Sequence, residues 1–476
     1  MLTQGLGAAA ICCPRRVPAY AGAVTRRFGA AANRLGGTAL IAIAVAAVAA
    51  VVGALSVGYG EVALVLAVGV LVIGVAVTDP VVVIALAIGS TLLMTRVGGA
   101  LSVSDVALGV ASVTSLFLIR GRGLQTMAPV LWAGVAYLGA ILPTTILNPY
   151  AANAVEWAHD VFLVIGSLIV GFVIARSGRT QLAIGIYVVA CAGIGIAAFA
   201  SGLVMLGQEG RFGPVYLPTL DKNLIGCALA AAIIIVYGRP AWFRLGPVGR
   251  WAIIAACGAG VAAAGSRQAM VGLAVGLIIV GLRRHPETGK LPKLPWVTAV
   301  LILYAVWGLV TDQLSSKDQF NSANQRLSWY GESTGIWLKS PIFGVGLRWW
   351  YTDRFGVSFQ PPNLEFEQLT TVGVVGLLAL LALFVTAVVM LWRLDPWYGT
   401  VGAAVVVARF SESQFDLYWV AGQASFLWII TGVCFGAVER QRRRAEAEGV
   451  DAALPLGSGP ARRIDVALRR TGFPTR

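Results

Sequence analysis

Arg267 stands between two apolar runs, 250–264 and 268–282, in the order Ala-Gly-Ser-Arg-Gln, at the mouth of a helical hairpin. A guanidinium there is costly unless it meets water, lipid headgroups or an anionic ligand. Two readings follow: a side chain that snorkels and pins the turn, or a phosphate clamp, since a guanidinium grips phosphate oxygens bidentately and keeps its proton. Arg211, in Gly-Arg-Phe-Gly-Pro, lies in another short connection at the same depth, and Arg326, Arg348 and Arg354 follow on one long polar segment. The acids Glu332, Asp353, Glu365 and Glu367 lie along the same stretch of chain. Any of them could serve as a general base or simply balance an arginine. The run Trp349-Trp350-Tyr351 could stack on sugar rings or belong to an interfacial aromatic belt. His159 and His285 are the only histidines, and none of the six cysteines has metal-ligand spacing, so neither a metal site nor a resident cofactor is expected.

The elements that must position these side chains follow from composition. Of 476 residues, 58% are hydrophobic and 12% charged, which excludes a soluble enzyme and predicts an all-α, polytopic transmembrane helical bundle. Apolar runs separated by Arg, Pro, Gly and polar residues fall at 38–57, 62–78, 81–94, 105–119, 128–146, 158–175, 182–206, 223–238, 250–264, 268–282, 294–310, 366–392, 398–410 and 419–437. Because 81–94 and 398–410 are short for a crossing, 12–14 spans are expected. The arm 1–37 has five arginines and no acid, the tail after 437 has nine arginines, and Arg120/Arg122, Arg176/Arg179, Arg239/Arg244/Arg250, Arg283/Arg284/Lys290/Lys293 and Arg393 fill alternate connections. By the positive-inside rule both termini and these connections are cytoplasmic, so most of the net charge of +14 is topological and does not point to nucleic acid. The organisation expected is a basic arm 1–37, transmembrane helices over 38–310, a long external loop 311–365, transmembrane helices over 366–437 and a basic tail 438–476.

The external face then holds 147–157, 207–222, the turn Gly265-Ser266-Arg267, the segment 311–365 and 411–418. At ~55 residues, 311–365 is longer than a connector needs and reads as functional. Gln325 to Lys339 places Leu327, Tyr330, Ile336 and Leu338 among polar residues, the pattern of a short amphipathic helix at the membrane surface.

On these residues the chain resembles the O-antigen ligase and O-antigen polymerase family. The resemblance runs through Arg326, Trp329 and Ser340-Pro341-Ile342-Phe343-Gly344-Val345-Gly346, then Pro362-Asn363-Leu364 and Val372-Gly373-Val374-Val375-Gly376-Leu377. Upstream it takes in Gly265-Ser266-Arg267, and Arg211 with Gly213 and Lys222-Asn223, about 170 residues in all. It implies a GT-C type membrane glycosyltransferase of the bacterial inner membrane, working on the external face without a metal. Its partners would be a polyprenyl-diphosphate-linked glycan, an acceptor hydroxyl on a lipid or another glycan, and membrane lipids. Carried over by position, Arg211 and Arg267 would hold the diphosphate and stabilise it as leaving group, and Arg326 would order the loop or contact the phosphates. Arg348 and Asn363 are further candidates.

The departure lies at Pro362, where the family usually has a histidine. A proline cannot accept a proton, so the base is another residue or positioning of a good leaving group suffices. Glu365 is the first substitute and His159, at the external end of the span 158–175 beside Asp160, the second, unless it is a satisfied polar contact at a helix mouth. Two other classes of protein fit the same composition. A transporter would place ionisable residues mid-span and show repeated halves, whereas the clear charges here lie at span ends. A non-catalytic envelope-assembly protein would bind or move lipid-linked glycan without transferring it.

Overall fold

The structure is a computed structural model that describes residues 78–97, 101–119, 123–283, 291–315, 322–356 and 359–448. The arm 1–37, the runs 38–57 and 62–78 up to residue 77, the connection 120–122 and the tail beyond 448 lie outside the described residues.

Asp79 caps the first described helix: its carboxylate accepts from the Val81 amide, and Pro80, with no amide hydrogen to leave unpaired, opens α1 (Pro80–Ser90). A two-residue ladder pairs β1 (Arg96–Val97) with β2 (Leu101–Ser102). Ser102 and Asp105 then form a reciprocal capping box at the start of α2 (Val103–Leu118). The chain continues through α3 (Ala128–Leu147), α4 (Ala151–Val161), a π-helical turn (Phe162–Gly166), α5 (Ser167–Ser177) and α6 (Thr180–Glu209). After these come α7 (Lys222–Gly238), α8 (Pro247–Ala264), α9 (Arg267–Leu282), α10 (Leu294–Ser315) and α11 (Ser322–Trp337). The last three are α12 (Leu364–Arg393), α13 (Pro396–Glu412) and α14 (Ala421–Ala447).

The described residues are therefore predominantly helical, as composition leads one to expect. Six helices among the described residues are long and apolar enough to cross a membrane: α3, α4 with α5, α6, α8, α12 and α14. Five shorter apolar helices accompany them. Bulky apolar side chains point outward along these helices, among them Trp132, Val189, Ile196, Leu378 and Val385. Water would not tolerate such a surface, whereas lipid would. Between helices the packing relies on small residues, because lipid offers no hydrophobic drive to associate. At Gly171 a Cβ would lie 1.9 Å from the Ile429 carbonyl oxygen, so α5 and α14 meet backbone to backbone.

The connections sort to two ends of the bundle. At one end, Arg283 donates to the Trp392 and Leu394 carbonyls, Arg244 exchanges hydrogen bonds with Gln181, and Arg179 pairs with Asp79. At the other end gather the α3–α4 turn, the 210–221 loop, the Gly265 turn, α11 with the segment 338–363, and the 413–420 loop. One boundary shifts. The stretch 147–157, read as a connection, is mostly helix, because α4 begins at Ala151 and runs on through the π-turn to Ser177. The expected amphipathic helix is α11, with Ile336 and Ser333 buried and Ser328, Gly331 and Glu332 facing out.

Candidate functional site

The segment Ser340 to Gly346 is laid across a broken helix. Within α12, Gly373 adopts φ 69° and ψ −169°, a conformation open essentially to glycine alone. The break frees backbone groups on both sides, and the loop takes them up. Val345 and Gly346 donate to the Thr370 and Thr371 carbonyls, and Val374 donates to the Pro341 carbonyl at 2.9 Å. The two backbones cross so closely that a Cβ on Gly373 would sit 2.3 Å from the Ile342 oxygen, and one on Gly344 2.4 Å from Thr371. Thr144 donates to the Phe343 carbonyl, Tyr150 to the Leu347 carbonyl (2.6 Å), and the Leu347 amide to Asn153 Oδ1 (2.9 Å). Burial holds the Tyr150 phenol well above its ordinary value against the opposing charge of Arg354, so this donor keeps its proton. The glycine-rich motif is thus a scaffold that pins the loop to α3, α4 and α12.

Beyond this crossing the aromatic run turns inward. Trp349 and Trp350 are buried with Ile336 and Val345, and Phe355 packs on them. Only Tyr351 of the three is exposed, so the run is chiefly the loop's own core. Arg354 is a strut: it donates to Asn148 Oδ1 and the Val345 carbonyl and lies over the Tyr150 and Phe355 rings.

Arg348 and His159 meet through a third residue. Glu156 Oε2 lies 2.5 Å from Arg348 Nη2 and 3.3 Å from His159 Nδ1, while His159 Nε2 lies 2.9 Å from Asp105 Oδ1. The chain Asp105–His159–Glu156–Arg348 joins α2, α4 and the loop, and both ring nitrogens of His159 are engaged in it. Asp160 and Glu367 lie within electrostatic range of this chain. Each is buried and each has one carboxylate oxygen with no hydrogen-bond partner, the other Glu367 oxygen accepting from Gln360.

Arg267 and Arg326 act on each other electrostatically. Arg267 opens α9 directly after Gly265, whose φ of 61° makes the turn, and Ser266, whose hydroxyl caps the helix at the Ala269 amide. Ser266 also donates to Asn223 Oδ1, and Asp416 Oδ2 accepts from both Asn223 Nδ2 and Gln268 Nε2 at 2.8 Å. The Gly-Ser-Arg turn is thereby tied to α7 and to the 413–420 loop. The half-buried guanidinium of Arg267 lies within electrostatic range of Arg326 on α11. One turn along α11, Tyr330 stacks on Phe366 with ring centres 4.6 Å apart. Burial raises the Tyr330 phenol above its usual value, with Arg326 opposing and Glu365 reinforcing that shift. Glu365 stands beside Phe366 at the first turn of α12, with one carboxylate oxygen buried and without a hydrogen-bond partner. Arg326 is thus within electrostatic range of Arg267, and Arg326 and Glu365 of Tyr330, from positions about 100 residues apart in the chain.

Arg211 and Asn363 are placed otherwise. Arg211 is exposed and paired with Glu209 at 2.7 Å, on a loop whose Val215 amide docks on the Ala263 carbonyl. Asn363 caps α12 by accepting from the Glu365 and Phe366 amides and bridges to the Gln414 carbonyl. Residues missed in sequence include Asp105, Glu156, Asp416 and the buried pair Arg409 and Glu412. The signal was available for Arg409, a charge inside the apolar run 398–410. For Asp105 and Asp416 the signal was absent, since each sits at a span boundary where acids are common. Among the described residues no cluster of three or more His, Cys, Asp or Glu could hold a metal ion. No protein-family model matches the chain, and no curated protein does so.

Proposed function

We propose that the chain is a membrane glycosyltransferase of the polysaccharide ligase or polymerase type, moving a glycan from a polyprenyl-diphosphate carrier to an acceptor hydroxyl. The observation that supports it is that Arg267, half-buried at the Gly-Ser-Arg turn, lies within electrostatic range of Arg326 on α11. Like charges within range of one another in a partly dehydrated place repel, and an oligoanion reaching both relieves that repulsion. A diphosphate esterified to a long lipid carries its charge at the headgroup depth where this end of the bundle would lie, with its chain against the apolar helices.

In this reading the bond from the sugar's anomeric carbon to the phosphate oxygen breaks and a bond to the acceptor oxygen forms. Arg267 and Arg326 take up the charge that grows on the departing diphosphate, the part played by a metal in other transferases. Glu365, with an unpartnered oxygen at the first turn of α12 and within range of Tyr330, accepts the acceptor's proton. His159, held at both nitrogens, positions the loop through Glu156 and Arg348, and Arg211 serves as an outer contact for the substrate. The active face is external and both termini are cytoplasmic. The test is transfer from a purified polyprenyl-diphosphate glycan in proteoliposomes. Arg267→Ala and Arg326→Ala should each lose at least ~10²-fold in rate, the scale of one lost charge-stabilising donor; product formation at wild-type rate in both would refute the proposal.

A second reading is favoured by a different observation. Asp160, Glu367, Arg409 and Glu412 are buried within helices of the bundle, and intramembrane ionisable groups often line ion or proton paths. On that reading the protein moves lipid-linked glycan across the membrane, and Glu367→Gln would stop movement in vesicles while no glycosidic bond is made or broken.

A further inference from the structure

The end of the bundle opposite the candidate site carries a second constellation of arginines that the proposed function does not use. Helix α7 ends at Gly238, and Arg239 is held at φ 48°, a left-handed conformation uncommon for a side chain of its kind. The turn that follows is fixed rather than loose. Ala241 donates to the Trp397 carbonyl at 2.9 Å, the Trp242 indole to the Tyr398 carbonyl at 3.3 Å, and the Arg244 amide to Gln181 Oε1 at 3.0 Å. Trp242 and Phe243 are buried beneath it. The turn thereby holds Arg239 and Arg244 around a recess of about 570 Å³, with Arg250 of α8 on a third side and Phe243, Trp397 and Tyr398 as walls. A second recess adjoins the first, shares Arg239, Arg250 and Trp397, and extends to Arg283. Among the described residues no acidic side chain lines either one.

The positive-inside bias explains why arginines are numerous at this end, but it asks nothing of their arrangement. Convergence on a pre-formed recess that no acidic side chain among the described residues lines is an additional feature, and its chemistry is that of a phosphate site, since guanidinium groups match phosphate oxygens. The surroundings point to the source of the phosphate. Val248, Trp251, Trp296 and Trp392 lie exposed near the same end, and Arg250 lies over the Trp251 ring. A free anion has no use for such a rim, whereas a lipid lays its chains against it with the headgroup in the recess.

We propose that these recesses bind the headgroup of an anionic phospholipid, and that two adjoining recesses favour a lipid with two phosphates. The full chain in detergent is loaded with phosphatidylethanolamine, phosphatidylglycerol or cardiolipin, and retained lipid is read by native mass spectrometry. Retention should rise in that order. Arg239→Gly, which relieves the positive φ while removing the charge, and Arg244→Ala should each weaken cardiolipin retention about fivefold, the worth of one basic residue at a lipid surface. Arg244→Lys should keep most of it, and Arg354→Ala, at the other end, should keep all of it. Equal retention of the three lipids, unchanged retention in the Arg239→Gly/Arg244→Ala double variant, equal loss in Arg354→Ala, or displacement of the lipid by inorganic phosphate would each overturn the proposal.

Discussion

Replacing Arg348 by Met removes the charge that joins the long loop to the bundle and leaves Glu156 buried beside a thioether. The pair lies at 2.5 Å, and the two side chains are 19% and 9% exposed. With charge centres about 4 Å apart in an effective dielectric of about 20, the gross attraction is about 4 kcal/mol. Part of it is offset by dehydration of both ions, and Glu156 keeps His159 as a second partner, so a net loss of about 2–3 kcal/mol is expected. The cost should appear where the loop docks. The amides of Val345, Gly346 and Leu347 donate to Thr370, Thr371 and Asn153, and they exchange with solvent only when the loop lifts. At about 1.4 kcal/mol per decade, their hydrogen exchange should accelerate about 30- to 150-fold in Arg348→Met, while amides in the middle of α5 and α14 keep their protection. Glu156→Gln should accelerate them by a similar factor, and the double variant by little more than either alone, because both substitutions break one pair. Acceleration below about threefold in a folded Arg348→Met protein, or fully additive effects in the double variant, would refute the assignment of Arg348 as the loop's anchor.

Gly373→Ala must push its new methyl into the Ile342 carbonyl and abandon a backbone conformation reserved for glycine. A loss on the order of 3 kcal/mol is expected, read as a lowered unfolding midpoint in detergent with the loop amides of 345–347 deprotected. Tyr150 tests the pH response of the same docking. Because its folded value lies above its ordinary one, its contribution is fully present below pH 10 and is lost as pH rises through the folded value. Loop protection in the wild type should therefore fall only above about pH 10, and Tyr150→Phe should lower protection at neutral pH by roughly 1 kcal/mol while removing that fall. Glu365→Gln should slow glycan transfer at least ~10²-fold with little change in donor affinity, and equal activity would move the general-base role elsewhere. A chelator should leave transfer unchanged if two guanidiniums carry the leaving-group charge, and loss of activity restored by a divalent cation would contradict that assignment.

Much of the fold is legible before any folding is considered. Long apolar runs, proline and Ser/Asp caps at helix starts, and arginines concentrated in alternate connections determine a helical bundle with two chemically different ends. Those features are local, and backbone groups in lipid must be satisfied within their own helix, so a local pattern suffices. The long segment 311–365 is legible as functional for the same reason, since its polarity contrasts with everything around it. The arginine set is legible as a set, but its division of labour is not.

That division rests on contacts between residues far apart in the chain. Arg348 meets Glu156, Arg354 meets Asn148, and Arg267 comes within electrostatic range of Arg326, so one arginine anchors the loop, one braces it and two act on each other. The glycines at 344 and 373 belong to motifs that sequence singles out, but only their crossing at backbone contact shows why no side chain fits. His159 reads in sequence as a base or as a satisfied polar contact at a helix mouth, and in three dimensions both its nitrogens are held. Sequence by itself determined which residues lie at which end of the bundle, because partition between lipid and water acts on each segment separately. Only the tertiary structure decided which charge meets which, because a charge's partner is chosen by distance in a low-dielectric interior, and distance is a property of the packed chain.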